Sequence, residues 1–207
     1  MLFAPIEGGL ELRKQDDGSH RLSGRFPYNS LAVLSDGGRR GRPKKERFAS
    51  RAFAYRVDRP DEEIHLLAGH SFDRPLASRG AGTLELTDTD DALSFAAIIT
   101  AGIAATTYGA DVLAMVAAGL AVGLSPGFRI PPERAVPPDE AETVEDEGSN
   151  PEEGEHNALI RTVHQALLFE LSIVTRPAYP ESQVEARSWQ PSANLPVPRP
   201  RRAYTWR

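Results

Sequence analysis

The 207-residue chain contains no cysteine. Disulfide cross-links, thiolate metal sites and a cysteine nucleophile are therefore excluded, and the composition fits a reducing compartment. Long apolar runs are missing too: none approaches the roughly 18 residues that cross a bilayer. The first residues, MLFAPIEGGLELRKQ, lack the basic-then-apolar order of a signal peptide. A soluble protein made in the cytoplasm, without a membrane partner, is the expectation. No internal repeat is visible. The histidines and carboxylates show no metal-ligand spacing, so neither a metal nor an organic cofactor is expected.

Charge is present but unevenly placed. Residues 131–156 carry ten acids against one arginine, a local charge of −9 that leaves +4 on the rest of a chain whose net charge is −5. This segment is rich in Pro and Glu and nearly free of apolar residues, so it reads as a disordered insertion. The opposite bias appears in RRGRPKKER, residues 39–47, with six basic residues. A solvated flexible loop is the favoured reading there over a nucleic-acid contact. The stretch from Ser188, SWQPSANLPVPRPRRAYTWR, has four Pro, four Arg and no acid, and reads as an extended tail. Aromatic platforms for nucleic acid are confined to Trp189, Tyr204 and Trp206, which disfavours a nucleic-acid partner.

Between these segments the patterning is that of an α+β protein with mostly antiparallel strands. Short alternating runs from Leu10 to Leu34 are separated by turn signals. Residues 48–57 are compatible with a short helix or with a turn and strand. Residues 62–69 read as a strand delivering His70, and 83–99 as a hairpin turning around 88–91. Residues 106–119 form the best helix, with Tyr108, Val112, Met115 and Val116 at helical spacing, Thr near the start and a closing Gly. LAVGLS then reads as a strand ending at Ser125, with Pro126 and Gly127 stopping regular pairing. The chain is organised around LFELSIVTRPAYP, residues 168–180. Read as a strand it is apolar on both faces, so the carboxylate of Glu170 needs a polar partner.

His70 in AGHSFDRP and Ser125 in GLSPGF, taken with Glu170, make up the groups of a Ser-His-acid nucleophilic site. A serine hydroxyl needs an imidazole to take its proton and a third group to orient that imidazole. Each residue also has a plain alternative: His70 as a loop residue, Ser125 as a turn former, Glu170 as an edge residue reaching solvent.

Four stretches in order, KERFASRAF (45–53), LLAGHSFDRPLAS (66–78), YGADVLAMVAAGLAVGLSPGF (108–128) and LLFELSIVTRPAYPESQV (167–184), resemble the prohead serine proteases of tailed phages, themselves related to the herpesvirus assemblins. The resemblance implies an assemblin-like closed β-barrel core with peripheral helices, a protease domain over 1–187 with its core match at 45–184, and a tail over 188–207. It implies Ser125 as nucleophile, His70 as general base and Glu170 as the third member, where assemblins use a second His. His164, six residues before Glu170, is the rival third member, and His65 a weaker rival for the base. Arg176 is the implied oxyanion stabiliser. Where the family often has Asn-His-Asp, this chain has Gly69-His70-Ser71, with the acid displaced to Asp73. The implied activity is endopeptidase cleavage of scaffold and major capsid protein segments inside the immature head, in the host cytoplasm, through an acyl-enzyme. Assemblins are activated by dimerisation, so the resemblance also raises a homo-oligomer. The alternative function is a non-catalytic capsid assembly or scaffold protein that keeps the protease fold.

Overall fold

A computed structural model describes residues 10–39, 41–121, 123–150 and 156–175. The expected tail over 188–207 and Arg176 lie outside the described residues. Twelve strands and four helices are described, and the strands pair into three four-stranded sheets. Seven of the nine strand pairings are antiparallel, which bears out the mostly antiparallel α+β expectation. None of the three sheets closes on itself among the described residues.

The first sheet runs β1 (Glu11–Lys14), β2 (His20–Pro27), β8 (Ala92–Ile99), β7 (Leu84–Asp88). Its alternating sequences turn Leu22 and Phe26 of β2 and Leu93, Phe95, Ala97 and Ile99 of β8 inward, the period of two expected when one face of a sheet is solvated. The expected hairpin over 83–99 is β7 and β8. The second sheet runs β10 (Glu142–Asp146), β11 (Leu159–Val163), β4 (Lys44–Phe48), β3 (Ala32–Ser35). The third runs β6 (Ser71–Ser78), β5 (His65–Ala68), β12 (Leu167–Val174), β9 (Gly123–Arg129). In these two sheets β11 lies parallel to β4 and β12 parallel to β5, so two consecutive early strands each receive one of two consecutive late strands.

A single hydrophobic cluster joins all three sheets through Leu22, Phe26 and Phe95 of the first, Phe48 and Val163 of the second, and Leu66 and Leu171 of the third. Its aromatic centre is Phe48, whose ring lies 4.9 Å from Phe53, 4.9 Å from Phe128 and 5.4 Å from Phe26. Phe53 reaches this cluster from the turn that leads into α1 (Ala54–Val57), so the 48–57 stretch resolves as strand end, turn and short helix. The expected long helix is α3 (Thr107–Ala117): the Thr106 hydroxyl accepts from the Gly109 N–H at its start, and Val112, Leu113 and Val116 are buried.

Three expectations are corrected. The strand carrying Ser125 does not stop at Pro126 but continues to Arg129, with Pro126 opposite Leu171 and Gly127 opposite Glu170. It can do so because β9 is an edge strand, where a proline costs no ladder hydrogen bond on its open side. The basic run is not a solvated loop throughout: its second half, within Lys44–Phe48, is β4, in the interior of the second sheet. The acidic segment is not uniformly disordered either, since residues 138–141 form α4 (Pro138–Ala141) and 142–146 form β10; residues 151–155 lie outside the described residues.

Composition misled at these two segments because they neutralise each other. Lys45 pairs with Glu147, Arg47 with Glu145 at 2.8 Å, and Arg42 with Asp146 at 2.8 Å. Between them Arg161 of β11 is buried, donating to Glu46 at 2.9 Å and through its Nε to Glu142 at 2.6 Å. The ordering entropy of an acidic strand is offset here by its ladder with β11 and by cations that lie about a hundred residues earlier in the chain.

Candidate active site

The third sheet assembles the site, with β12 in the middle. From one flank, β5 runs into a two-residue turn, Gly69-His70, before β6 begins. Both residues have positive φ, 61° and 62°, as a type I′ hairpin turn requires. Glycine adopts this conformation without penalty, and histidine is among the few other residue types enriched in it. Two bonds fasten the turn to β12: the Gly69 N–H donates to the Ile173 carbonyl at 3.1 Å, and the His70 N–H donates to Ser172 Oγ at 2.8 Å.

The middle strand supplies Glu170, 4% exposed. Its two oxygens have separate partners. Oε1 lies 2.7 Å from His70 Nδ1, and Oε2 accepts from the Ser172 hydroxyl at 2.6 Å. The buried carboxylate expected from the strand pattern thus has its polar neighbours, as burial of a charge demands. Space for it comes from the opposite flank. Gly127 sits across from Glu170, and a Cβ at that position would overlap the carboxylate.

Ser125 arrives on β9, directly opposite Ser172. Residues opposite one another in an antiparallel pair share a sheet face, and so do residues two apart on one strand. Ser125, Ser172 and Glu170 therefore lie on one face, and the turn carrying His70 is bonded to the same two β12 side chains. Ser125 is 4% exposed, while the His70 side chain is 37% exposed and forms the open side of the group.

The other sequence candidates fall elsewhere. His164 is not beside Glu170: its Nε2 bonds Thr143 Oγ1 at 2.9 Å and its backbone N–H donates to Ala141, which places it at the end of the second sheet. His65 pairs in register with Glu170 across the parallel ladder, but its ring lies edge-on to Phe72 with centroids 5.8 Å apart. Arg176 lies outside the described residues. The sequence pattern gave Ser172 no role and Gly127 only that of ending the strand with Pro126. The signal was available: a serine two residues after the glutamate shares its face, and the second glycine of GLSPGF falls two residues past the serine, in register with that glutamate.

Among the described residues no group of three or more His, Asp or Glu side chains is arranged to hold a metal ion. A serine, an imidazole and a buried carboxylate gathered on one sheet face are the groups a serine hydrolase uses. The sequence as a whole specifies the class further: residues 10–194 match the caudovirus prohead serine protease family, and the chain belongs to it. At the level of that family it is a capsid-maturation protease of tailed phages. No curated protein and no solved structure matches the chain.

Proposed function

We propose that this chain is a serine endopeptidase in which Ser125 is the nucleophile, His70 the general base and Glu170 the group that orients His70. The observation that carries the reading is the 2.7 Å contact between His70 Nδ1 and Glu170 Oε1, on the strand whose neighbour carries Ser125 opposite Ser172. With Nδ1 occupied by the carboxylate, Nε2 is the ring nitrogen that acts on the serine. Nε2 takes the Ser125 proton as Oγ adds to the scissile carbonyl, and the imidazolium is stabilised by Glu170. Collapse of the tetrahedral intermediate breaks the C–N bond, and His70 gives its proton to the departing amine, leaving an acyl ester on Ser125. A water deprotonated by His70 then hydrolyses that ester and regenerates the hydroxyl.

In this reading Arg176, two residues beyond Val174 in the sequence, stabilises the oxyanion. The substrates are segments of the major capsid and scaffold proteins, cut inside the immature head in the host cytoplasm. The domain spans 1–187, with 188–207 as a tail. The closed barrel of the assemblin relatives fits a body in which one hydrophobic cluster is shared by three sheets.

The test is co-expression of the chain with the capsid and scaffold proteins encoded beside it, following capsid protein by intact mass. Wild type is expected to truncate the capsid protein, and Ser125→Ala to leave it full length. Equal truncation by both variants would move the nucleophile elsewhere; assembled heads with no truncation by either would favour the non-catalytic assembly protein.

A further inference from the structure

We infer that Ser172 is a positioning residue that locks His70 in the tautomer needed by a general base, through a closed ring of hydrogen bonds that begins and ends on His70 itself. The inference rests on the triad reading above and adds a fourth residue to it.

The direction of the ring follows from its two groups that cannot reverse, a backbone N–H and an ionised carboxylate. A backbone N–H only donates, and the His70 N–H donates to Ser172 Oγ at 2.8 Å. That oxygen keeps its own proton, which is directed to Glu170 Oε2 at 2.6 Å. An ionised carboxylate only accepts, so its other oxygen, 2.7 Å from Nδ1, requires a proton on Nδ1. Nε2 of the neutral ring is then unprotonated and basic. With the carboxylate ionised, the chain His70 N–H to Ser172 to Glu170 to His70 Nδ1 closes only with a proton on Nδ1, so a neutral ring carries its free lone pair on Nε2.

Ser172 is 0% exposed and cannot reach a substrate, so its effect must pass through Glu170 and His70. The ring also accounts for the turn. The left-handed backbone of His70, φ 62°, is what aims its N–H at a side chain of β12 while its own ring returns to the same strand. One hydroxyl thus fixes both the conformation of the turn and the rotation of the carboxylate.

The test uses the full chain in two measurements. In the first, protein labelled with nitrogen-15 at histidine is studied by NMR where the imidazoles are neutral, with the His70 signals assigned through His70→Gln. Wild type is expected to show His70 protonated at Nδ1, with a downfield Nδ1–H resonance. Ser172→Ala should lose that resonance, and Ser172→Thr, which keeps the hydroxyl, should retain it. In the second, capsid-protein cleavage on co-expression should slow by roughly 10- to 100-fold in Ser172→Ala, the range seen when the hydrogen-bond partner behind a metal-ligating side chain is removed, and recover in Ser172→Thr.

A wild-type His70 protonated at Nε2 overturns the inference whatever the variants do. So does a folded Ser172→Ala that keeps the Nδ1–H resonance and cleaves within twofold of wild type. If Ser125→Ala abolishes cleavage in that case, the serine protease reading stands without Ser172. Cleavage that survives Ser125→Ala overturns the protease reading instead, and the NMR result still decides the ring.

Discussion

At the level of single residues, the site depends as much on what is missing as on what is present. Glu170 occupies the space that a side chain at 127 would fill. Gly127→Ala must therefore push the carboxylate away from both His70 Nδ1 and the Ser172 hydroxyl, or move β9 away from β12. We expect a loss of about 1–3 kcal/mol in stability, the usual cost of forcing a methyl into filled space. Capsid processing should fall by at least about tenfold, since loss of the carboxylate that orients a triad histidine can cost up to about 10⁴-fold. Urea unfolding and capsid-protein mass report the two effects, and wild-type processing would mean that Glu170 need not hold this position. His70, Ser125 and Glu170 could be picked out as candidates from the sequence because their residue types are those that acyl-transfer chemistry uses and their motifs follow in order. Ser172 and Gly127 could not be weighed in the same way, since their roles arise from register: only the pairing of β12 with β9 and the return of the turn give them partners.

At the level of elements, the second sheet is held by charge. Arg161 is buried between Glu46 and Glu142, both also buried. Arg161→Ala would remove the Arg161 guanidinium from between two buried carboxylates, and we expect a loss of about 3–5 kcal/mol, read by urea unfolding. An unchanged midpoint would mean that water reaches both acids.

Glu147 gives the same sheet a pH dependence. Burial opposes its charge, but the Lys45 ammonium and the backbone N–H groups of His156 and Ala158 outweigh that and hold the carboxyl below its ordinary range. A carboxyl lowered on folding adds stability that is complete above its unfolded value and disappears as the pH falls through its folded one. The stability gap between wild type and Glu147→Gln should accordingly be widest near neutrality and close as the pH drops below the ordinary glutamate value of 4.5. A gap that stays constant with pH would contradict this.

Element types with strong local periodicity, such as α3 and the β7–β8 hairpin, could be read from the sequence because their apolar spacing alone decides them. β4 and β10 could not. Each has a composition that disfavours order when taken alone, and each becomes ordered by charges on the other, about a hundred residues away.

For the molecule as a whole, the topology explains how candidate site residues spread over a hundred positions come to one sheet. His70 precedes, and Ser125 and Glu170 follow, the hairpin and α3, while the late strands β11 and β12 return to lie parallel to β4 and β5. The site exists only when β12 is inserted between β5 and β9, so an incomplete chain has His70 and Ser125 but nothing to join them. This suits a protease of the prohead family, whose work belongs to the assembled immature capsid.

The assignment of Ser125 as nucleophile underlies everything proposed for the site. It is tested most directly by treating the wild-type protein, recovered from cells in which it is processing capsid protein, with a fluorophosphonate that phosphonylates activated serines and releases fluoride, and mapping the modified residue by peptide mass. A single modification on Ser125 is expected, lost together with capsid processing in His70→Ala. A modification on another serine, or capsid processing that continues after Ser125 is fully modified, would contradict it.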